Sequence, residues 1–326
     1  MSDVKPTDAD LCIRAAWLYY VHGLGQEEVG RQLSLSCTKV TRLLQQAREA
    51  GYVKVSVEHE TVESLALADW ISAHYRVERC ILTPFARLPT TDASAAEIAG
   101  RQAVGIVAAN HVARQMQASG TLTIGLGWGR TLSALIAALP AMSKPDLAVV
   151  SVIGASVVDD GTASYSLALK LAGATNGSAR TFAAPLVMAH AETAEAMRRD
   201  PVIGETLRLA ASADLVLIGC GDVSNDNPYF HSASIDSETV EALRKAGAVC
   251  ECVGRFLDRN GQLVDTPLHA RTMGIDIDSL RQRDVIVLAS GRRKAAPLKA
   301  LLKAGIARTI IVDDEIAQAL AEASPA

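Results

Sequence analysis

The sequence predicts an α/β protein of two parts: an N-terminal all-α winged helix-turn-helix, and a doubly wound, mostly parallel α/β domain. Two patterns carry this prediction. Residues 26–44 read as two short helices around a tight bend, and from about residue 60 onward apolar runs of strand length alternate with helical segments. Because 326 residues suit two domains better than one, we predict domains at 1–58 and 59–326.

The helix-turn-helix begins with residues 26–33, where Gly30 stands at the point at which two helices can cross closely. Ser36 is the predicted N-cap of a second helix over about 37–50. Since Ser34 occupies a position where such turns favour glycine, we expect the turn to be made without a residue at positive φ. The predicted buried positions are Val29, Leu33, Val40, Leu43, Leu44 and Ala47.

The opposite face of the second helix carries hydroxyl, amide and cationic groups, which can reach base edges and phosphates from the major groove. The predicted DNA-binding residues are Ser36, Thr38, Lys39, Thr41, Arg42 and Gln46. Between Arg31 and Lys54 five basic residues accompany one acid, although the chain has a net charge of -4. Residues 52–57 alternate as the wing strand would, and 11–22 form a leading helix. The alternative interpretation is a generic amphipathic hairpin.

The larger domain is predicted from near-continuous apolar runs, which are typical of strands covered on both faces. The predicted strands are 80–84, 122–125, 147–153, 181–184, 215–219, 248–253, 285–289 and 309–312. The predicted helices are 95–118, 131–138, 164–174, 202–211, 237–246, 294–303 and 315–323. Residues 58–66, which are polar and acidic at first, form the predicted linker.

Composition narrows the class of protein. With 49% hydrophobic and 21% charged residues the chain can build a core throughout, which excludes extensive disorder. We find neither a secretory leader nor an apolar run of about 18 residues, so a cytoplasmic protein without a membrane span is expected. The six cysteines are scattered, and the close pair Cys250 and Cys252 is predicted to be buried and reduced. No metal or cofactor is predicted.

A glycine-rich turn between a strand and a helix is the most specific motif of the larger domain. Residues 124–132 read IGLGWGRTL, in which glycines let backbone amides approach a ligand at the positive end of the following helix. The residues predicted to bind a phosphate here are Gly127, Gly129, Arg130 and Thr131. A dinucleotide site fits less well, since the spacing is G-x-G-x-G and Asp146 precedes its strand. A purely structural glycine turn remains an alternative.

Charged groups also lie in or near three other predicted strands. Arg292, Arg293 and Lys294 follow the strand at 285–289, where they either neutralise a phosphate or stay solvated. Glu251, Asp222 and Asp258 are carboxylates that can bind sugar hydroxyls. For Asp222 and Asp258 a structural role in capping turns is favoured.

Several stretches together resemble the SorC family of bacterial sugar-binding transcriptional regulators, over nearly the full length of the chain. They are AAWLYY, GLGQEEVGRQLSLSCTKVTRLLQQAREAGYVKVSV, IGLGWGRTL, GRFLDRNGQLVD and DVIVLASGRRKAAPLKALLKAGIARTIIVDDEIAQAL. The resemblance implies an effector domain similar to glucosamine-6-phosphate deaminases and ribose-5-phosphate isomerases, a phosphorylated sugar or polyol as effector, operator DNA as partner, and a homotetramer.

The resemblance also implies roles for individual residues. It assigns the phosphate to Gly129, Arg130 and Thr131 with Lys294, and the sugar hydroxyls to Glu251. This chain departs from many members at Trp128, at Arg130 and at the pair Arg292 and Arg293. The added bulk and charge suggest a small, strongly anionic or differently shaped effector, such as a short polyol phosphate.

The predicted function is therefore that of a DNA-binding regulator of a carbohydrate or polyol catabolic operon, and not of an enzyme. The alternative is a sugar-phosphate isomerase or deaminase with an accessory helical domain. That alternative needs an acid and a base that converge on a sugar, and beyond Glu251 and Asp222 the sequence offers no convincing set.

Overall fold

The computed structural model describes residues 7–53, 62–83, 92–156, 161–181, 184–233 and 235–322. The chain divides into two compact units, Met1–Ser56 and Val57–Ala326. The predicted domain boundary at 58/59, and the predicted wing strand from residue 54 onward, lie outside the described residues and stay predictions. Every described helix is too short or too polar to cross a membrane.

The N-terminal unit is helical in its described part. Its elements are α1 (Asp8–Ala16), a π-helical turn (Trp17–Val21), α2 (Gln26–Leu33) and α3 (Cys37–Glu49). The leading helix predicted at 11–22 is thus an α-helix that changes to π-helical geometry at Trp17. The buried stripe is confirmed, except that Leu33 is only partly buried. The residues that form this small core are Cys12, Ala15, Ala16, Val29, Val40, Leu43, Leu44 and Ala47.

The turn between α2 and α3 differs from the prediction in one respect. Ser34 itself adopts the left-handed conformation, with φ 56° and ψ 43°, although a serine side chain disfavours it. The turn requires this geometry because the Leu35 N–H donates to the Gly30 carbonyl oxygen at 2.8 Å. The prediction that no residue takes positive φ here was wrong. The role of Gly30 is as predicted, since a Cβ there would lie 2.7 Å from the Leu35 carbonyl oxygen.

The larger unit is a doubly wound α/β domain. Its described strands are β1 (Arg79–Leu82), β2 (Leu122–Leu126), β3 (Leu147–Ser151), β4 (Ser178–Arg180), β5 (Leu215–Gly219), β6 (Ala248–Cys252), β7 (Arg255–Asp258), β8 (Asp284–Ala289) and β9 (Thr309–Val312). Seven of these described strands form one sheet in the order β1-β9-β8-β5-β2-β3-β4, and each neighbouring pair is parallel.

Helices cover both faces of this sheet. They are α4 (Val62–Tyr75), α5 (Ala93–Ala118), α6 (Arg130–Ala138), α7 (Ser164–Thr175), α8 (Ala191–Arg199), α9 (Pro201–Ala211), α10 (Pro228–Ser232), α11 (Ser237–Lys245), α12 (Leu268–Arg271), α13 (Ile277–Arg281), α14 (Ala295–Lys303) and α15 (Asp314–Glu322). Side chains alternate along each strand. Leu215 and Leu217 therefore pack beneath α5, α6 and α7, while Val216 and Ile218 join the core on the other face.

Two strand predictions need correction. Of the strand predicted at 181–184, residues 182 and 183 lie outside the described residues, and Thr181 and Ala184 are not in a strand. The edge strand is instead β4, which begins at Ser178 because Asn176 ends α7 in a left-handed conformation and the chain turns at once beside β3. The strand predicted at 248–253 is not a member of the parallel sheet. It forms an antiparallel ribbon, β6 with β7, around a tight turn in which Val253 and Gly254 have φ 46° and 73°.

Candidate functional site

A cavity of about 90 Å³ opens at the carboxyl ends of β2, β5 and β8. These strands are neighbours in the sheet, and the strand order runs outward in opposite directions from β2 and β5. This is a topological switch point, the place where open α/β sheets bind ligands. Among the residues that line the cavity are Glu97, Arg101, Trp128, Gly129, Arg130, Thr131, Glu251, Ser290 and Lys294.

The predicted phosphate-binding turn leads from β2 into α6 on one side of this cavity. Gly129 has φ 122°, which an L side chain rarely adopts, and its N–H donates to the Thr162 carbonyl oxygen at 2.9 Å. In the described part of the chain, no side chain caps α6, so its first amides and the positive end of its dipole are available to an anion. Arg130 and Thr131 line the cavity at this helix start.

Gly127, the remaining glycine of the predicted site, is not among the lining residues. Its N–H donates to the Leu217 carbonyl oxygen at 2.8 Å, and a Cβ there would lie 3.1 Å from a methyl group of Ile218. Its position therefore serves close packing between β2 and β5, as the structural alternative for this turn anticipated.

Glu251 approaches the cavity from the β6–β7 ribbon and is buried. Its backbone pairs with Gly221 through two hydrogen bonds of 2.8 Å, and its Oε1 accepts the Gly254 N–H at 2.9 Å. Burial raises the pKa of Glu251 to about 7, although the Gly254 N–H, the charge of Lys294 and the Trp128 side chain all favour the carboxylate. Near neutral pH this carboxyl group is therefore able to accept or donate a hydrogen bond.

Of the three successive cations after β8, Lys294 alone lines the cavity. Within the part of the chain that the structure describes, no carboxylate lies at ion-pair distance from its ammonium group. Arg292 instead pairs with Glu322, and Arg293 lies 3.2 Å from an Asp222 carboxylate oxygen. The expectation that these two arginines add positive charge to the ligand site is therefore wrong.

The two aspartates of the predicted set have structural roles. Asp222 accepts the Ser224 hydroxyl at 2.7 Å in addition to Arg293. Asp258 accepts the backbone N–H groups of Asn260 and Gln262 at 2.8 and 2.9 Å, which closes the turn after β7. These contacts agree with the structural interpretation of both residues.

Two charged cavity residues escaped the sequence analysis. Glu97 and Arg101 reach the cavity from α5, where they form an ion pair of 2.5 Å, and Arg130 lies 3.8 Å from the same Glu97 oxygen. Burial and the charge of Arg130 lower the pKa of Arg101, while Glu97 opposes this shift. A glutamate four residues before an arginine is common on helix surfaces, so the pattern alone did not single them out.

The exposed face of α3 lies opposite the small helical core. Ser36 caps the helix by accepting the Lys39 N–H at 3.2 Å. Thr38 and Arg42 are exposed near the middle of the face, and Arg42 has no ion-pair partner among the residues that the structure describes. Cationic and hydroxyl groups in such a position can meet a phosphate or a base edge.

The flanks of this face contact the neighbouring helices. Thr41 donates its hydroxyl to Gln26 of α2 at 2.8 Å. On the other flank Lys39 lies 3.4 Å from Asp8, and the Gln46 side-chain oxygen accepts the Cys12 thiol at 3.7 Å. Five of the six predicted DNA-binding residues thus share one side of α3, with Thr38 and Arg42 in its centre, while Ser36 caps its start.

Comparisons with known proteins extend over both units. The Sugar-bind family model, which describes a sugar-binding domain, matches residues 59–322. The erythritol catabolism regulatory protein EryD of Brucella abortus is 28% identical over 313 residues, which are 96% of this chain and 96% of that protein. The transcriptional regulator LsrR of Klebsiella pneumoniae is 26% identical over 317 residues, which are 96% of this chain and 93% of that protein.

A solved structure has the same fold. The full-length sorbitol operon regulator SorC from Klebsiella pneumoniae superposes with a TM-score of 0.71 at 23% identity, covering 96% of this chain and 99% of that one. The relatives named here are transcriptional regulators and not enzymes, so the isomerase or deaminase alternative has no support among them. The chain belongs to the SorC family of sugar-binding transcriptional regulators.

Proposed function

We propose that this protein regulates a carbohydrate or polyol catabolic operon by binding double-stranded operator DNA, and that a phosphorylated sugar or polyol in the α/β domain controls this binding. One observation carries the proposal. An uncapped helix start, an ammonium group and a buried carboxyl group, from α6, Lys294 and Glu251, converge on one small cavity. This is a donor and acceptor set for a phosphate at one end and hydroxyl groups at the other.

The volume of the cavity and the names of two relatives favour a short polyol phosphate as the effector. The cavity has about 90 Å³, and the Trp128 indole forms one wall, with its ring centroid 5.8 Å from that of Tyr229. Two of the relatives are named for the regulation of erythritol catabolism and of a sorbitol operon. A phosphorylated four-carbon polyol therefore heads the candidates, and longer sugar phosphates follow.

In the proposed mode of DNA binding, α3 lies in the major groove. Thr38, Thr41, Arg42 and Gln46 face the base edges and phosphates, Lys39 adds charge at the flank, and Ser36 keeps the helix start in place. The exposure of Arg42 without an ion-pair partner in the described residues supports this role. The affinity of such a contact falls with rising salt because bound counter-ions are released.

For effector binding to control DNA binding, the subunits must be able to adopt two arrangements. We propose a homotetramer, as the family resemblance implies, in which the effector shifts the population between arrangements with different half-site spacing. Sedimentation equilibrium should then report four chains per particle. A monomer at micromolar concentration contradicts this part of the proposal.

The experiment that tests the function measures DNA binding by fluorescence anisotropy, using DNA from upstream of the protein's own operon and a random duplex of the same length. Erythritol phosphate, sorbitol phosphate and inorganic phosphate are added in turn. In Lys294→Ala we expect the response to the phosphorylated polyol to be lost and the affinity for DNA to be kept. Lys245→Ala removes the same charge from the exposed end of α11 and should behave as the wild type.

Equal affinity for upstream and random DNA, with and without these compounds, overturns the proposed function. An unchanged effector response in Lys294→Ala overturns the assignment of the phosphate site. If the protein turns over a sugar phosphate at ordinary enzymatic rates, the cavity is an active site and not an effector site.

A further inference from the structure

One of the carboxylates that line the cavity, that of Glu97, is paired with arginines of the same cavity. The Glu97 carboxylate lies 2.5 Å from the Arg101 guanidinium and 3.8 Å from that of Arg130. Both arginines line the cavity, and Arg130 is the first residue of the helix whose uncapped start faces it. One carboxylate thus lies between two guanidinium groups, as an oxygen of a bound phosphate does in an arginine site.

Close packing holds the backbone of α5 beside this carboxylate, whose own side chain is half exposed. Gly100, which lies between the two partners on α5, packs so tightly that a Cβ there would lie 2.6 Å from the Ser290 hydroxyl oxygen and 3.3 Å from an Asp313 oxygen. Ser290 and Asp313 follow β8 and β9 at the carboxyl edge of the sheet. The Arg101 side chain is only 15% exposed, so its charge is largely removed from water.

We infer that Glu97 is a built-in counter-anion that holds the place of an effector's anionic group: an incoming phosphate binds Arg101 and Arg130 by displacing the Glu97 carboxylate from them. The inference rests on the proposed function, because it needs an anionic effector in this cavity. It assigns Arg101 to the ligand site, although Arg101 belongs to no strand-end motif. It also makes the first turns of α5 the part of the fold that responds to the ligand.

The charge balance of the cavity supports displacement of the Glu97 carboxylate by the phosphate, rather than binding of the phosphate beside it. Among the residues that the structure describes, Arg101, Arg130 and Lys294 line the cavity together with the carboxyl groups of Glu97 and Glu251. With both acids ionised the formal charge of these five groups is +1, which is too little for a phosphate that carries between one and two negative charges at neutral pH. Displacement of Glu97 toward solvent leaves both guanidinium groups to the phosphate. The ligand must first break the internal pair, so its apparent affinity is reduced.

The test is isothermal titration calorimetry of the full chain with inorganic phosphate at constant ionic strength. Inorganic phosphate has no polyol hydroxyls, so any role of Glu97 in hydroxyl binding does not affect the result. In Glu97→Gln we expect phosphate to bind about tenfold more tightly, the effect of removing one nearby competing charge. Glu97→Asp keeps the charge on a shorter side chain and should lie between wild type and Glu97→Gln. Arg101→Ala should bind at least about tenfold more weakly than wild type.

Glu195→Gln is the matched control. Glu195 on α8 also contacts two arginines, Arg198 at 3.4 Å and Arg199 at 3.0 Å, and the latter is again four residues on. It does not line the cavity, so its loss should leave the affinity for phosphate unchanged. A general effect of one removed negative charge would appear in both glutamine variants.

The outcomes separate this inference from the proposed function. If wild type binds phosphate and Glu97→Gln binds it no more tightly, the counter-anion role is overturned and the proposed function stands. If Glu97→Gln is too unstable to measure, an affinity of Glu97→Asp equal to that of wild type overturns it equally. If neither wild type nor any variant binds phosphate at millimolar concentration, both the proposal of an anionic effector and the counter-anion role of Glu97 are overturned.

Discussion

The two units use their cations in opposite ways. On α3 Arg42 is exposed and has no ion-pair partner among the described residues, so its counter-ions come from the solvent. In the cavity Arg101 and Arg130 both face Glu97, so the counter-ion is part of the fold. A polyanion that displaces solvent ions gains entropy from their release, whereas under the proposed exchange a ligand of the cavity competes with a tethered carboxylate. We therefore expect the proposed DNA contact to be general and salt-dependent, and the proposed ligand contact to be selective.

The same contrast holds for burial. The polar groups of α3 are half-buried or exposed, so in the absence of DNA they stay in contact with water. Glu251 in the cavity is 2% exposed and is held by the Gly254 N–H. Its ionisation in the folded protein is therefore expensive, which links the state of the cavity to pH and to the stability of the whole α/β domain.

The largest expected effect follows from Glu251. Its pKa is raised from 4.5 to about 7, so between these values the native state keeps a proton that the unfolded chain releases. The contribution of Glu251 to the free energy of unfolding should accordingly fall by about 3 kcal/mol as the pH rises from 4.5 to 7. Glu251→Gln cannot ionise and should lack this contribution, which urea unfolding of both proteins at several pH values measures as the difference between them. Equal pH profiles contradict the buried, protonated carboxyl group.

The second effect compares a helical glycine in each unit. A Cβ at Gly30 of α2 would lie 2.7 Å from the Leu35 carbonyl oxygen, whereas Gly173 of α7 has open space around its Cβ position. Overpacking costs about 1–3 kcal/mol, and the better helix propensity of alanine returns up to about 1 kcal/mol. We therefore expect Gly30→Ala to destabilise the N-terminal unit by about 1–2 kcal/mol and Gly173→Ala to stabilise its own unit slightly. Thermal unfolding followed by circular dichroism checks both, and a stabilised Gly30→Ala would contradict the close helix crossing.

The third effect concerns Arg42. Its replacement by alanine should weaken operator binding about tenfold, or about 1.4 kcal/mol, and reduce the slope of log affinity against log salt by about one. Arg14→Ala removes the same charge from the exposed end of α1, outside the α2–α3 pair, and is expected to have a smaller effect. Anisotropy titrations at several salt concentrations measure both quantities. If Arg42→Ala binds the operator as wild type does, α3 does not present this side chain to DNA.

Sequence periodicity determined most of the fold. Near-continuous apolar runs predicted the strands of the parallel sheet, because strands covered on both faces need apolar side chains on each. The rule that ligand loops follow such strands then brought Gly129, Arg130, Thr131 and Lys294 to one cavity, where the structure also places Glu251. That these residues bind a phosphate stays a prediction.

The errors arose where long-range packing decides. Residues 248–253 have the composition of a sheet strand, but the turn at Val253 and Gly254 folds them back on β7. Glu97 and Arg101 lie on a 26-residue helix, and only the tertiary fold shows that this part of it meets the carboxyl edge of the sheet. Ser34 takes positive φ because the hydrogen bond from Leu35 to Gly30 requires it, whatever residue stands there.

The smallest expected effect tests that last point. Left-handed geometry costs a residue with a Cβ about 1–2 kcal/mol, part of which glycine loses again through its more flexible unfolded chain. Ser34→Gly should therefore stabilise the N-terminal unit by about 0.5–1 kcal/mol. Asn176 ends α7 with the same φ of 56°, but asparagine tolerates this conformation and its side chain donates to Ser143 at 3.3 Å. Asn176→Gly should gain less or lose stability, and thermal unfolding of both variants measures the difference. A Ser34→Gly protein no more stable than the wild type would show that the turn after α2 carries no strain.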